Sequence, residues 1–197
     1  MAQGVEELLS ECRSTHGHLC PGQVLGVRMS LLGCELIGLD DPRGADRKKL
    51  IVFVEIDRCM ADAVGVATGA RLGRRSLKFF DYGKAAATFH NLQEGSAVRL
   101  AILESAREFA DVSFAHVADK KERQMAAYLA APPEELFKTE RVKVSLSEAD
   151  LPGSPRSREV CAKCGEGVND RRFVRGAAGE VLCRPCGPGD SYYGLCD

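Results

Sequence analysis

Apolar residues recur with helical period at Val5, Leu8, Leu9 and Cys12, which predicts a short amphipathic helix at the start of the chain. A link, "THGHLC", is expected to run extended to Pro21, which suits the first position of a second helix because its missing N–H leaves no partner unmet. That helix is nearly all apolar from Val24 to about Leu36, and "DDPRGAD" then reads as a loop. The β-branched run "KLIVFVEID", Lys49 to Asp57, predicts a central strand, and a helix carrying Cys59, Asp62, Ala63, Val66 and Ala67 follows it. "LKFFDYGKAAATFHN" and "SAVRLAIL" predict further strands of one antiparallel meander. Residues 105–131 turn helical with a break near Asp111–Val112, and Pro132-Pro133 stop them. "RVKVSL" alternates Val142, Val144 and Leu146 with polar residues, as an edge strand does.

At Ser147 the periodicity ends. "SEADLPGSPRSRE" is polar and carries two prolines, so the chain divides into a core over 1–148, a linker over 149–159 and a tail over 160–197. The tail is too short for a hydrophobic core. Its staple is Cys161, Cys164, Cys183 and Cys186, spaced C-x2-C-x18-C-x2-C, the pattern of a closed structural zinc site. Gly165 and Gly167 supply the turns of the first knuckle, and "RRFVRGAAGEVLC" reads as a hairpin covered by Phe173, Val174, Val181 and Leu182. Cys196 is a spare thiol.

The whole chain has 197 residues, nine cysteines, four histidines and a formal net charge of -1. That balance argues against a general nucleic-acid binder, although Arg156, Arg158, Arg171, Arg172 and Arg175 cluster in the tail. The acidic first residues lack a signal peptide's basic start, and no stretch is long and apolar enough for a membrane span. A reducing, cytoplasmic setting follows, in which the cysteines are metal ligands or reactive thiols rather than disulfides.

Two of the four histidines sit in "HGHLCPG". In an extended link His16, His18 and Cys20 alternate and project from one side. Cys20 before Pro21 and Cys59 after the strand both stand at helix starts, where the helix dipole lowers a thiol pKa. If the two starts converge, His16, His18, Cys20, Cys59 and Asp62 form one pocket suited to zinc or another borderline metal. The same residues also fit a structural reading, with each cysteine a small buried residue and His18 a helix-entry residue. His90 and His116 stand alone and read as structural, as do Tyr82 in packing and Lys84 in solvent.

"HGHLCPG", "EIDRCMADAVGVATGARLG" and "FFDYGKAAATF", in this order, resemble the FmdE family, named for one of the subunits of molybdenum or tungsten formylmethanofuran dehydrogenase. The similarity spans roughly Leu8 to Leu146, and the tail resembles the treble-clef zinc finger some members carry. The resemblance implies an α+β core with an antiparallel or mixed sheet packed with helices, a homodimer, and a metal or active site at His16, His18, Cys20 and Cys59, with Asp62 following. Cys20, Cys59 and Asp62 are the catalytic candidates. It implies a metal-binding accessory protein beside a molybdenum or tungsten enzyme of carbon dioxide reduction, or in the handling of its cofactor, with zinc in the finger and a second metal in the core. The alternative is a free-standing enzyme using a Cys/His site or a metal-bound water. The chain departs from many relatives at "GARLGRR", where Ala70 replaces a thiol.

Overall fold

The computed structural model describes residues 4–188 and 191–194 and divides into two compact units, Met1–Val144 and Ser145–Asp197. In the first unit the order is α1 (Val5–His16), α2 (Pro21–Leu36), β1 (Leu50–Val54), α3 (Cys59–Thr68), β2 (Leu77–Phe79), β3 (Ala86–Asn91), β4 (Ala97–Ile102), α4 (Ser105–Ser113), α5 (Lys120–Ala130), a one-turn α6 (Pro133–Leu136) and β5 (Phe137–Arg141). The strands form one sheet in the order β2-β1-β3-β4-β5, an α+β arrangement with a mixed sheet.

Three expectations need correcting. The sheet is not a pure antiparallel meander, because β2 lies parallel to β1. The chain passes through α3 between them, and such a crossover returns a strand in the same direction. The last strand is Phe137–Arg141 rather than "RVKVSL". Arg141 already faces Val98, so β4 has almost run out of partners, and only the Val142 N–H still reaches Ala97. The helical break falls after Ser113, not at Asp111–Val112. The next helix starts where the Asp119 carboxylate accepts the Glu122 N–H at 2.8 Å, a local N-cap.

Alternation along the strands decides what is buried. Leu50, Val52 and Val54 share a face with Ala87, Phe89, Val98 and Leu100, and all seven join the core cluster that contains the apolar side of α2. The other face holds a bidentate ion pair, Arg99 Nε and Nη2 each 2.7 Å from a carboxylate oxygen of Glu55. Glu55 is 7 % exposed, and its hydrogen bonds hold the Arg99 pKa above its ordinary value. Arg28, the lone base within α2, donates to the carbonyls of Tyr128 and Ala131 at 2.6 Å each and so caps the C-terminal end of α5.

Small residues let α2 approach α3. A Cβ built on Gly26 would lie 2.7 Å from the Met60 carbonyl oxygen and 2.8 Å from the Ala63 Cβ, both inside contact distance. Gly26→Ala is therefore expected to destabilise the protein by about 1–2 kcal/mol in urea unfolding, because overpacking outweighs the helix-propensity gain. An unchanged or raised midpoint would show that the two helices are free to separate.

Burial also marks Cys34, whose thiol is pushed up to about 12 from an ordinary 9.0, and Cys12, pushed up to about 11. A thiol held neutral in the fold contributes stability below its unfolded pKa and loses it as pH rises through the folded value. Stability should thus fall between pH 9 and 12. Cys34→Ala, measured by chemical denaturation across this range, is expected to flatten the decline, and an identical slope would place Cys34 in contact with water.

Candidate functional site

Helix α1 runs four residues beyond the expected Cys12 and ends on His16, because Gly17 takes the left-handed conformation (φ 86°) and returns its N–H to the Arg13 carbonyl at 3.0 Å. His16 is thus helical, and the idea of three side chains alternating along one extended segment does not hold. The turn nevertheless brings the His16 and His18 rings together, with centroids 4.9 Å apart. The chain then enters α2 with Cys20 as its extended N-cap and Pro21 as the first helical residue. The Cys20 N–H donates to Gln23 Oε1 at 3.0 Å, and the fully buried Gln23 amide reaches back to the Cys12 carbonyl at 3.4 Å. This reciprocal cap fixes the α1–α2 corner.

The second half of the site comes from α3, with Arg58 as N-cap and Cys59 as the first helical residue. The two helix starts converge at Gly22. A Cβ there would lie 3.6 Å from the Cys59 Cβ and 3.8 Å from the Cys20 Sγ, ordinary contact distances. The thiols therefore sit against one another. Burial, and then the adjoining Cys20 thiol, raise the Cys59 pKa above its ordinary value. This overturns the expectation that its helix start would lower it: desolvation by the packed helices outweighs the dipole here.

One turn into α3, Asp62 Oδ2 lies 2.9 Å from His16 Nδ1, joining α1 to α3 through the most exposed part of the site. With the proton on Nδ1 the carboxylate accepts it, and Nε2 is left with its lone pair outward, the tautomer a metal ligand or a general base requires. Two cavities border α3. One, of about 550 Å³, is lined by His16, Asp62, Ala70, Arg71 and Leu72 among others. The other, of about 290 Å³, is lined by Cys20, Cys59, Arg58, Arg107, Gln124 and Tyr128 among others. Ala70, 4 % exposed, stands in the wall of the first.

The candidates are thus gathered as pairs, His16 with Asp62, His16 with His18, and Cys20 with Cys59. They do not form a closed cage. Among the described residues, Cys161, Cys164, Cys183 and Cys186 are the one group of three or more such side chains with ligand atoms all within 4.8 Å of one another. Elsewhere His90 Nδ1 lies 3.1 Å from the Ser96 carbonyl, His116 packs on Phe114, and Tyr82 is mostly exposed. The Glu55–Arg99 pair escaped the sequence reading, since neither residue belongs to a recognisable spacing.

The second unit is built around that cysteine group, from two small antiparallel ribbons, β6 (Arg158–Val160) with β7 (Gly167–Asn169) and β8 (Phe173–Arg175) with β9 (Val181–Cys183). Gly165, at φ 75°, returns its N–H to the Cys161 carbonyl at 2.9 Å and closes the first knuckle. The Cys164 and Cys183 sulfurs are 3.8 Å apart. Backbone N–H groups of Cys164 and Cys183 bring the Cys161 pKa down to about 6, which favours its thiolate form. Val168, which the sequence reading passed over, joins the small core beside Phe173 and Leu182. Two of the arginines are engaged within the unit: Arg172 pairs with Asp150, and Arg175 bonds the Gly179 carbonyl and lies over the Phe173 ring. Cys196 lies outside the described residues. Among those described, no helix is long and apolar enough to cross a membrane.

Comparison with known proteins fits this architecture. The family model described as "FmdE, Molybdenum formylmethanofuran dehydrogenase operon" matches residues 15–138, which hold every core candidate named above. A probable S-adenosyl-L-methionine-binding protein of Archaeoglobus fulgidus is 31 % identical over 208 residues, covering 95 % of this chain and 54 % of that protein. The chain therefore spans about half the length of this curated relative. The crystal structure of a protein from Syntrophus aciditrophicus, described as like the FmdE component of tungsten formylmethanofuran dehydrogenase, shares the fold. The two agree with a TM-score of 0.63 at 21 % identity, over 98 % of this chain and 96 % of that one. With its HGHLCPG corner, its mixed sheet and a family match over most of the first unit, the chain belongs to the FmdE family.

Proposed function

We propose that the chain is a metal-binding accessory protein that works beside a molybdenum or tungsten formylmethanofuran dehydrogenase-type enzyme, or in the handling of its cofactor, as a cytoplasmic homodimer formed through the FmdE core. The observation that carries the metal-binding part is the four-cysteine cluster. Zinc held tetrahedrally by sulfur at about 2.3 Å needs about 3.8 Å between sulfurs, and the Cys164–Cys183 separation of 3.8 Å meets that requirement. All four ligands are protein thiols, which leaves no open position for a substrate, so a treble-clef zinc finger with a structural or docking role is the reading that suits it. The dehydrogenase association rests on the family. The name of the Archaeoglobus protein adds nothing to it, since this chain spans 54 % of that protein.

In the core we propose a second metal site at His16, His18, Cys20 and Cys59, with Asp62 orienting His16. A bound cation would draw the protons from both thiols. The chain's own part is to hold the His16 tautomer through Asp62 and to keep Cys20 and Cys59 side by side. The cavity beside the thiols supports a second reading, a free-standing enzyme with Cys20, Cys59 and Asp62 as its reactive groups. Turnover that survives in protein purified free of any dehydrogenase favours the second reading, and co-purification with molybdopterin-enzyme subunits favours the first.

Metal analysis of the purified chain should find one zinc held by the finger. Cys161→Ser should remove it and unfold the tail alone, leaving the thermal transition of the core in place. Collapse of both transitions would show that the two units fold as one.

In metal-free protein Cys59 is expected to alkylate sooner than Cys12 and Cys34, which are the more deeply shielded thiols, yet more slowly than in the unfolded chain. Added zinc should protect Cys20 and Cys59 together. Asp62→Ala should weaken that joint protection by about 10–100-fold, the usual effect of losing a carboxylate partner of a ligating histidine. Protection of one thiol without the other would dissolve the proposed core site.

A further inference from the structure

Net charge near zero hides a strongly uneven segment. Between residues 71 and 84 five basic side chains stand against the single acid Asp81. The segment runs through the 3₁₀ turn at Leu72–Arg74, the edge strand β2 and the loop into β3. Its two ends, 71–74 and 79–84, are exposed throughout. Large apolar side chains are exposed with them: Leu72 at 65 %, Phe79 at 43 %, Phe80 at 48 % and Tyr82 at 62 %. Four exposed large apolar side chains within eleven residues of one segment form a cluster of the kind that marks a contact surface.

The aromatic rings are ordered rather than scattered. Phe80 stacks on Phe53 of β1 with centroids 6.1 Å apart and planes 29° from parallel, and Tyr82 continues the run 6.1 Å beyond Phe80. In the β1–β2 register Lys78 stands opposite Phe53, so a cation borders the foot of the run. The side chains of Arg71, Arg74 and Lys84 have no hydrogen-bond or ion-pair partner among the described residues, unlike Arg172 and Arg175 of the second unit.

We propose that this strip binds single-stranded polynucleotide, with bases stacking on the Phe80 and Tyr82 rings and phosphates neutralised by Arg71, Arg74 and Lys84. Exposed aromatic faces between unpaired cations meet both halves of such a ligand, since every base has a π-face and every link a negative charge. An acidic peptide would use the cations and leave the ring faces idle. A second copy docking strip to strip about a two-fold axis would bring the same five cations against one another, a repulsive pairing. Charge complementarity therefore selects the polynucleotide. The whole-chain charge argued only against binders that depend on a global basic excess.

The test uses the full chain with fluorescein-labelled 12-nucleotide oligouridylate and oligoadenylate, followed by anisotropy from 50 to 200 mM salt. Both oligonucleotides should bind, because stacking tolerates any base. Tyr82→Ala should weaken binding about tenfold and Tyr82→Phe should restore it, as the loss of one stacking face predicts. The double variant R71A/R74A should lower the slope of log affinity against log salt by about 1.4, the share of two phosphate contacts on a single strand. Lys121→Ala, on the exposed surface of α5, which packs on α2 and α4, should change nothing. These side chains are exposed, so unaltered circular dichroism separates a lost contact from a lost fold. The proposal is overturned if neither oligonucleotide binds at 50 mM salt. It is equally overturned if Tyr82→Ala has no effect while polyglutamate displaces the oligonucleotide, which identifies an acidic-peptide site. A third contrary result is Tyr82→Ala altering the sedimentation of the chain, which identifies a contact between copies.

Discussion

The first unit depends on how closely α2 and α3 pack. Gly22 and Gly26 face the start of α3, and at Gly26 there is no room for a side chain to intervene, so the two helix N-termini meet at one corner of the structure. The consequences spread outward. Cys20 and Cys59 become neighbours, α3 presents Asp62 to the end of α1, and on the same helix Gly33 lies under the Phe89 ring and seats α2 on the sheet. A larger side chain at Gly26 would push on Met60 and Ala63, and through them on every one of these contacts.

The same closeness sets the chemistry of the thiols. A helix start favours a thiolate when its N–H groups face water or a charged partner, as at reactive cysteines. Here the helix starts face one another and leave Cys59 only partly exposed, so the cost of an ionised sulfur rises and the Cys59 pKa is held above its ordinary value. Cys161 shows the opposite outcome with the same element. It is more deeply buried than Cys59, yet knuckle N–H groups point at its sulfur, and its pKa falls to about 6. What separates the two is how many donors accompany the burial, one backbone N–H at Cys59 against three at Cys161, not whether a helix or turn begins nearby.

That contrast explains what was legible in the sequence. Where ligands are close in sequence, spacing alone places them: two residues between cysteines make a knuckle, and the four sulfurs of the second unit are gathered much as their spacing implies. Helix α2 was equally legible, since Pro21 opens it and an apolar run fills it. The core pairs are different. His16 and Asp62 are 46 residues apart, and only the glycine-mediated approach of the helices brings them to 2.9 Å. The extended path assumed for residues 16–20 failed on a local detail, the left-handed Gly17 that lets α1 run on to His16. The parallel β2 failed on topology, because alternation gives a strand its faces but not its direction.

The three surfaces of interest also divide by what they ask of the backbone. The second unit has little besides its four cysteines to hold it together, for its buried apolar cover amounts to a few side chains such as Val168, Phe173 and Leu182. The thiol corner needs no metal to form, since helix packing and the Gln23 cap already hold it, so a cation arriving there meets preassembled pairs and has to displace protons rather than order chain. Its affinity should then depend on pH through the thiols far more than the fold does. The strip at 71–84 asks least of all: its rings and cations project from an edge strand already paired to β1, and binding there orders side chains without moving the sheet. A protein built this way would keep the proposed core chemistry on a packed corner and its contacts on the periphery. Coupling between them would have to pass through Arg71 and Leu72, which line the cavity beside His16 and Asp62 and belong to the strip as well.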